Sequence, residues 1–205
     1  MRNTFFNRAV LVAVLFAGGV MPAFAEGDVV SYIEPKNAAN PAPAVRLDSF
    51  QRFEVVPIAM EAPYAGQDAN EAAKKSIQAN LDLRLQPVLS EWNTKPAGTT
   101  PRVLKIEPTI RHVRFITGGK RFWGGAFAGG SAVLMTVKLS DASTGEVIAE
   151  PEFYQHANKM GAAWSFGATD KAMLVRVAAM VVNYLTANYS NAVGGSTTDA
   201  GEVKF

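Results

Sequence analysis

His112 and His156 are the only imidazoles in a chain of 205 residues, and there is no cysteine. Those counts narrow the chemistry at once. A nucleophilic triad would need one of the two histidines as its base, yet both fall in segments that alternate like β-strands, and no G-x-S-x-G elbow offers a serine. His156, at a strand end, is the better placed of the two, and a satisfied or solvent-facing histidine is the simpler reading. Two histidines without clustered carboxylates fall short of a metal site, so neither a metal nor a cofactor is expected. Glu150 and Glu152 would lie about 7 Å apart along a strand, a spacing compatible with glycoside chemistry. They share one strand face with Tyr154 and His156, however, and one face does not make the two walls of a cleft. The chain is not expected to be an enzyme.

The unusual residues are glycines and aromatics. One segment reads Thr117-Gly-Gly-Lys-Arg-Phe-Trp-Gly-Gly-Ala-Phe-Ala-Gly-Gly130, and another reads Lys159-Met-Gly-Ala-Ala-Trp-Ser-Phe-Gly167. The first is not a phosphate loop, because Lys120 is followed by Arg121 rather than by Ser or Thr at a helix start. Large aromatics among glycines suit a binding surface, since the rings supply contact area and glycine lets backbones approach closely. The candidate partner-binding residues are Tyr64, Lys120, Arg121, Phe122, Trp123, Phe127, Trp164 and Phe166. The competing reading is structural, with Phe122, Trp123, Trp164 and Phe166 folded over a sheet end as a satellite core. Phe122 to Met135 is apolar apart from Ser131; it is too short to span a bilayer as a helix, and peripheral membrane contact stays open.

These segments need elements to hold them. Phe53 to Met60 is a nearly continuous apolar run and predicts a strand, although Pro57 argues against a fully paired central position. A helix is predicted from Asp68 or Asn70 to about Ser90, with Ala73, Ile77, Leu81, Leu85 and Val88 or Leu89 at helical spacing and Pro87 as a kink or early end. From Val103 the chain alternates with Leu104, Ile106 and Ile110 on one face. Val113 and Phe115 fall on the other parity, which predicts a bulge near Arg111 and His112 or a strand end covered on both sides. Ala132 to Ser140 is the next strand, with Val133, Met135, Val137 and Leu139 inward. Val147 to His156 is the third, with Val147, Ala149 and Phe153 inward. Asp141 to Gly145 joins them as a tight hairpin. A closing helix runs from about Thr169 to Tyr189, with Met173, Val177, Met180 or Val181, Tyr184 and Leu185 as its stripe. The order is β-α-β-β-β-α: a single α+β domain with a four-stranded mixed sheet and two helices packed on one face. If the first strand runs parallel to the second, the loops at Glu61 to Gln67, Phe115 to Gly130 and Ala157 to Ala168 converge on one rim.

Outside this unit, Met1 to Ala25 reads as a cleavable secretory signal: Arg2 and Arg8, an apolar stretch from Ala9 to Val20, then Ala23-Phe24-Ala25. The apolar stretch is well short of the roughly 20 residues a permanent span needs. Two of the 20 basic residues lie within that signal, and all 18 acidic ones lie from Glu26 onward, so the mature chain is neutral and gives no support for nucleic-acid binding. By composition, residues 26–46 are a Pro/Ala-rich linker, residues 47–190 the α+β domain, and residues 191–205 a disordered tail.

Arg52-Phe-Glu-Val-Val-Pro-Ile, the helix after it, Leu104-Lys-Ile-Glu-Pro-Thr-Ile, the glycine-rich passage, Val137-Lys-Leu-Ser-Asp-Ala-Ser-Thr-Gly-Glu-Val-Ile-Ala-Glu and a closing helix together resemble a known group. It comprises uncharacterised bacterial envelope proteins and lipoproteins whose domain is similar to the curli-secretion lipoprotein and to the amino-terminal domain of the Tol periplasmic protein. The resemblance covers about Leu47 to Ser190. It implies a non-catalytic module in envelope assembly or transport that works through protein contacts, and it brings no catalytic residues. Lacking the lipidated cysteine of the lipoprotein members, this chain is expected to be periplasmic or secreted and unanchored. Its expected partner is an envelope protein or a second copy, bound through the glycine and aromatic rim; the alternative is a small ligand held in a pocket between the same loops.

Overall fold

The computed structural model describes residues 35–97, 99–114, 131–157 and 168–201. The elements in chain order are β1 (Ala39–Asn40), a 3-10 turn (Leu47–Ser49), β2 (Arg52–Val55), β3 (Ala59–Met60), α1 (Asp68–Trp92), β4 (Val103–Arg114), β5 (Ala132–Asp141), β6 (Val147–Ala149), β7 (Glu152–His156), α2 (Ala168–Ala187) and β8 (Gly195–Ser196). The fold is α+β, as its periodicities require, and the main sheet is mixed. β2 and β3 run parallel to β4, and β5 runs antiparallel to β4, β6 and β7.

That sheet has six strands rather than the expected four. A proline stands in both places where the count grows. Pro57 lies between β2 and β3, and Pro151 between β6 and β7, where each lacks the N–H that a continued ladder would use; Pro108, by contrast, is accommodated inside β4 opposite Val137. The second break also changes which residues face inward. Ile148 is buried and Val147 is 49% exposed, the reverse of the alternation expected for an unbroken strand, while Phe153 beyond the proline is buried as expected.

One apolar layer lies between the sheet and the two helices. The sheet contributes Leu104, Ile106, Ile110, Val133, Met135, Val137, Leu139 and Phe153. α1 answers with Ala73, Ile77, Leu81, Leu85 and Leu89, and α2 with Met173, Val177, Val181, Tyr184 and Leu185. These are the stripes that helical spacing dictates. α1 passes through Pro87 and continues to Trp92. The hydrogen bond that Pro87 cannot make belongs to the carbonyl of Leu83, four residues earlier. Leu83 and Pro87 both lie on the exposed side, where a lost backbone hydrogen bond costs less than it would in the core.

The β4 bulge is where the parity change predicted it. Ile110 faces Met135 and His112 faces Leu134, leaving Arg111 as the extra residue. Leu104, Ile106 and Ile110 point at the helices before the bulge; after it Val113 does, and His112 turns to the helix-free face. The Asp141 turn also forms as expected. Asp141 Oδ1 accepts from the Ser143 hydroxyl at 2.6 Å and the Ser143 amide at 2.9 Å, and Gly145 takes φ +75°. Those bonds from Ser143, with help from Arg102, hold the Asp141 carboxyl down at about 2.

Composition misleads at the two ends of the described chain. β1 and β8, in the stretches read as linker and disordered tail, pair with each other, Ala39 with Ser196 and Asn40 with Gly195. Asn188 supplies the polar anchor: its Oδ1 accepts from the amides of Val193 and Gly194, and its Nδ2 donates to the carbonyls of Tyr184 and Gly194. The carboxy-terminal segment, with little apolar surface beyond Ala200, is ordered chiefly by its hydrogen bonds to buried Asn188.

Candidate functional site: the loop-bearing end of the sheet

Register places three chain exits together. Arg114, the last residue of β4, pairs with Ala132, the first of β5, and Ala132 pairs with His156, the last of β7. Met60, which ends β3, pairs with Ile110 on the other side of β4. The connections 115–130, 158–167 and 61–67 therefore leave or enter the sheet at one end, with the Asp141 turn at the other. Lys120, Arg121, Phe122, Trp123, Phe127, Trp164 and Phe166 lie outside the described residues, as does the expected signal. Tyr64 is the one predicted site residue that is described.

Tyr64 is fixed by its own loop. Its amide and that of Ala65 both donate to the Glu61 carbonyl, at 3.0 and 3.2 Å, and the Glu61 amide donates to the carbonyl of Ile110. The Glu61 carboxylate meets Arg111 at 3.0 Å, so the bulged residue of β4 is tied to the loop. Asn70, in the first turn of α1, donates to the Tyr64 carbonyl, and the Ala62–Pro63 bond is cis. The Tyr64 hydroxyl lies 2.5 Å from His112 Nδ1, with the two rings edge to face and 4.7 Å between centroids.

His112 is buried, and burial lowers its pKa below the usual 6.5, with the charge of Arg114 adding to the effect. A neutral ring accepting the tyrosine proton at Nδ1 carries its own proton on Nε2. Leu134 and Tyr154 stand beside it on the same face, both buried, and the Tyr154 ring stacks against that of His156 at 5.8 Å. Farther from the loops the same face turns polar: Lys105 meets Glu107 at 2.8 Å, and Lys138 lies 3.9 Å from Glu107. Glu152 is buried, because the Lys36 amide and the Asn40 side chain lie against it. Glu150 falls between β6 and β7 and belongs to neither strand, so it does not form a carboxylate pair along one strand. The Tyr64 and His112 contact spans 48 positions of sequence, and no local spacing announces it.

Among the described residues no group of three or more His, Asp or Glu side chains is arranged to hold a metal ion, and no helix is long and apolar enough to cross a membrane. No family model and no curated protein matches the chain. Solved structures similar to it include protein XCC0632 of Xanthomonas campestris, from the family DUF330, at 17% identity and a TM-score of 0.39, covering 76% of this chain and 95% of that one. Another is a variant of the PelC dodecamer of Paraburkholderia phytofirmans, at 17% identity and a TM-score of 0.36, covering 67% of this chain and 88% of the other. At these values the likeness assigns neither family, partner nor assembly to this chain. Neither neighbour is a curli or Tol protein.

Proposed function

We propose that this chain is a non-catalytic domain of the bacterial cell envelope, exported by its amino-terminal signal, which binds a protein partner through the loop-bearing end of its sheet. One observation carries the reading. The strand ends at Arg114, Ala132 and His156 form a single row, so the two segments richest in glycine and aromatic residues start from neighbouring positions. Tyr64 is anchored beside that row by His112. Rigid strands that present loops are a common basis for recognition, and aromatic residues supply most of the energy at such surfaces. His112 is buried and engaged at Nδ1 by the Tyr64 hydroxyl, and in this reading the contact serves to hold the loop.

A photo-crosslinking residue placed at Trp123, Trp164 or Thr144 in the exported chain tests this in cells. Adducts of one defined mass at the first two positions and none at Thr144, in the opposite turn, are expected; an adduct of twice the chain mass would identify the partner as a second copy. No adduct at either tryptophan position, or the same adduct from Thr144, overturns the proposal.

A further inference from the structure

Each edge of the six-stranded sheet is made of two short strands, β2 with β3 and β6 with β7, and on each edge one of the two, β2 and β7, meets an asparagine. On one side, Phe53 in β2 donates its amide to Asn93 Oδ1 at 2.8 Å, and its carbonyl accepts from Asn93 Nδ2 at 3.2 Å. On the other, Glu152 in β7 donates its amide to Asn40 Oδ1 at 2.7 Å, and its carbonyl accepts from Asn40 Nδ2 at 2.7 Å. An amide side chain offers the same donor and acceptor as a peptide unit. Each asparagine therefore occupies the two outward backbone groups that an added strand would use first.

The two come from unrelated places. Asn93 caps the end of α1, and Lys95, two residues on, accepts a hydrogen bond at its carbonyl from Arg52 on the same edge. Asn40 belongs to β1, whose partner segment also reaches β7 through the Tyr154 amide donating to the Thr197 carbonyl. The same arrangement thus arises at both edges by different routes, one from a helix end and one from the paired chain ends. Stabilisation of a single loop does not account for that coincidence.

We propose that Asn40 and Asn93 are edge guards, which keep a second copy of this chain from adding a strand to either side of the sheet. The guards act on the edges and are independent of the loop-bearing end. Substitution of the full mature chain separates guarding from mere stabilisation, because lysine protects a strand edge by charge while alanine leaves it open. Asn40→Ala and Asn93→Ala are expected to form particles larger than the wild type, increasing with concentration and showing the infrared signature of intermolecular strand pairing. Asn93→Lys, at the half-buried position of the two, loses the same hydrogen bonds and is expected to keep the wild-type particle mass in light scattering. If the alanine and lysine variants of Asn93 behave alike, whether both stay at the wild-type mass or both unfold and aggregate, the asparagines serve stability alone and the proposal fails.

Discussion

His112 shows what a single residue gains from its surroundings. Burial favours its neutral form, so the folded chain resists protonation at a pH where the unfolded chain accepts it. As pH falls below the usual 6.5, the unfolded state takes the proton first and stability declines until the lower folded value is passed. The expected outcome is a melting temperature that falls on acidification from about pH 7 to about pH 5, with a shallower fall in His112→Gln. Equal slopes in the two proteins would assign the loss to other groups. The sequence marks Tyr64 as a loop aromatic and His112 as a strand residue. Their contact depends on the bulge at Arg111 and on the shape of the loop from Glu61, and neither partner carries a local signal for the other. Asn40 and Asn93 are hidden for a similar reason, since an amide that mimics a strand is recognisable only once the register of the neighbouring strand is known.

At the scale of elements, periodicity is a good guide wherever a face is buried along its whole length. The α1 stripe is the clearest case: Ile77 and Leu81 are fully buried, and Leu83, two positions on, is 72% exposed. Ile77→Ala should cost about 2–5 kcal/mol, as core truncations do, whereas Leu83→Ala should stay within about 0.5 kcal/mol of the wild type. Urea denaturation of the two variants checks the phase of the helix directly. The bulge in β4 is legible because it leaves a parity change, and the Asp141 hairpin because its turn chemistry is local. The breaks at Pro57 and Pro151 are less so. A proline reduces the pairing of a strand without saying whether the strand ends or merely divides, and that depends on what the neighbouring strand offers.

For the molecule as a whole, the main surprise is the pairing of β1 with β8. Low apolar content signals disorder in a segment that must bury its own surface, but these segments are held by Asn188, Asn40 and Thr197. Gly194 is the tightest point. It sits at φ +77°, and a Cβ there would lie 2.4 Å from the Asn40 carbonyl oxygen. Gly194→Ala should therefore cost more than the roughly 1–3 kcal/mol of a strained backbone position, because the clash pushes the two segments apart. Gly66→Ala, at φ +80° with open space around it, should show only the backbone cost in the same denaturation experiment. The pairing also makes the fold nearly a closed ring in sequence order. Because Ala39 and Ser196 are already neighbours, a short peptide could join the two segments and the chain could be reopened at the Asp141 turn. Such a circular permutant would start and finish at the end of the sheet opposite the loops, leaving that rim free of tags, surface tethers or fused reporters.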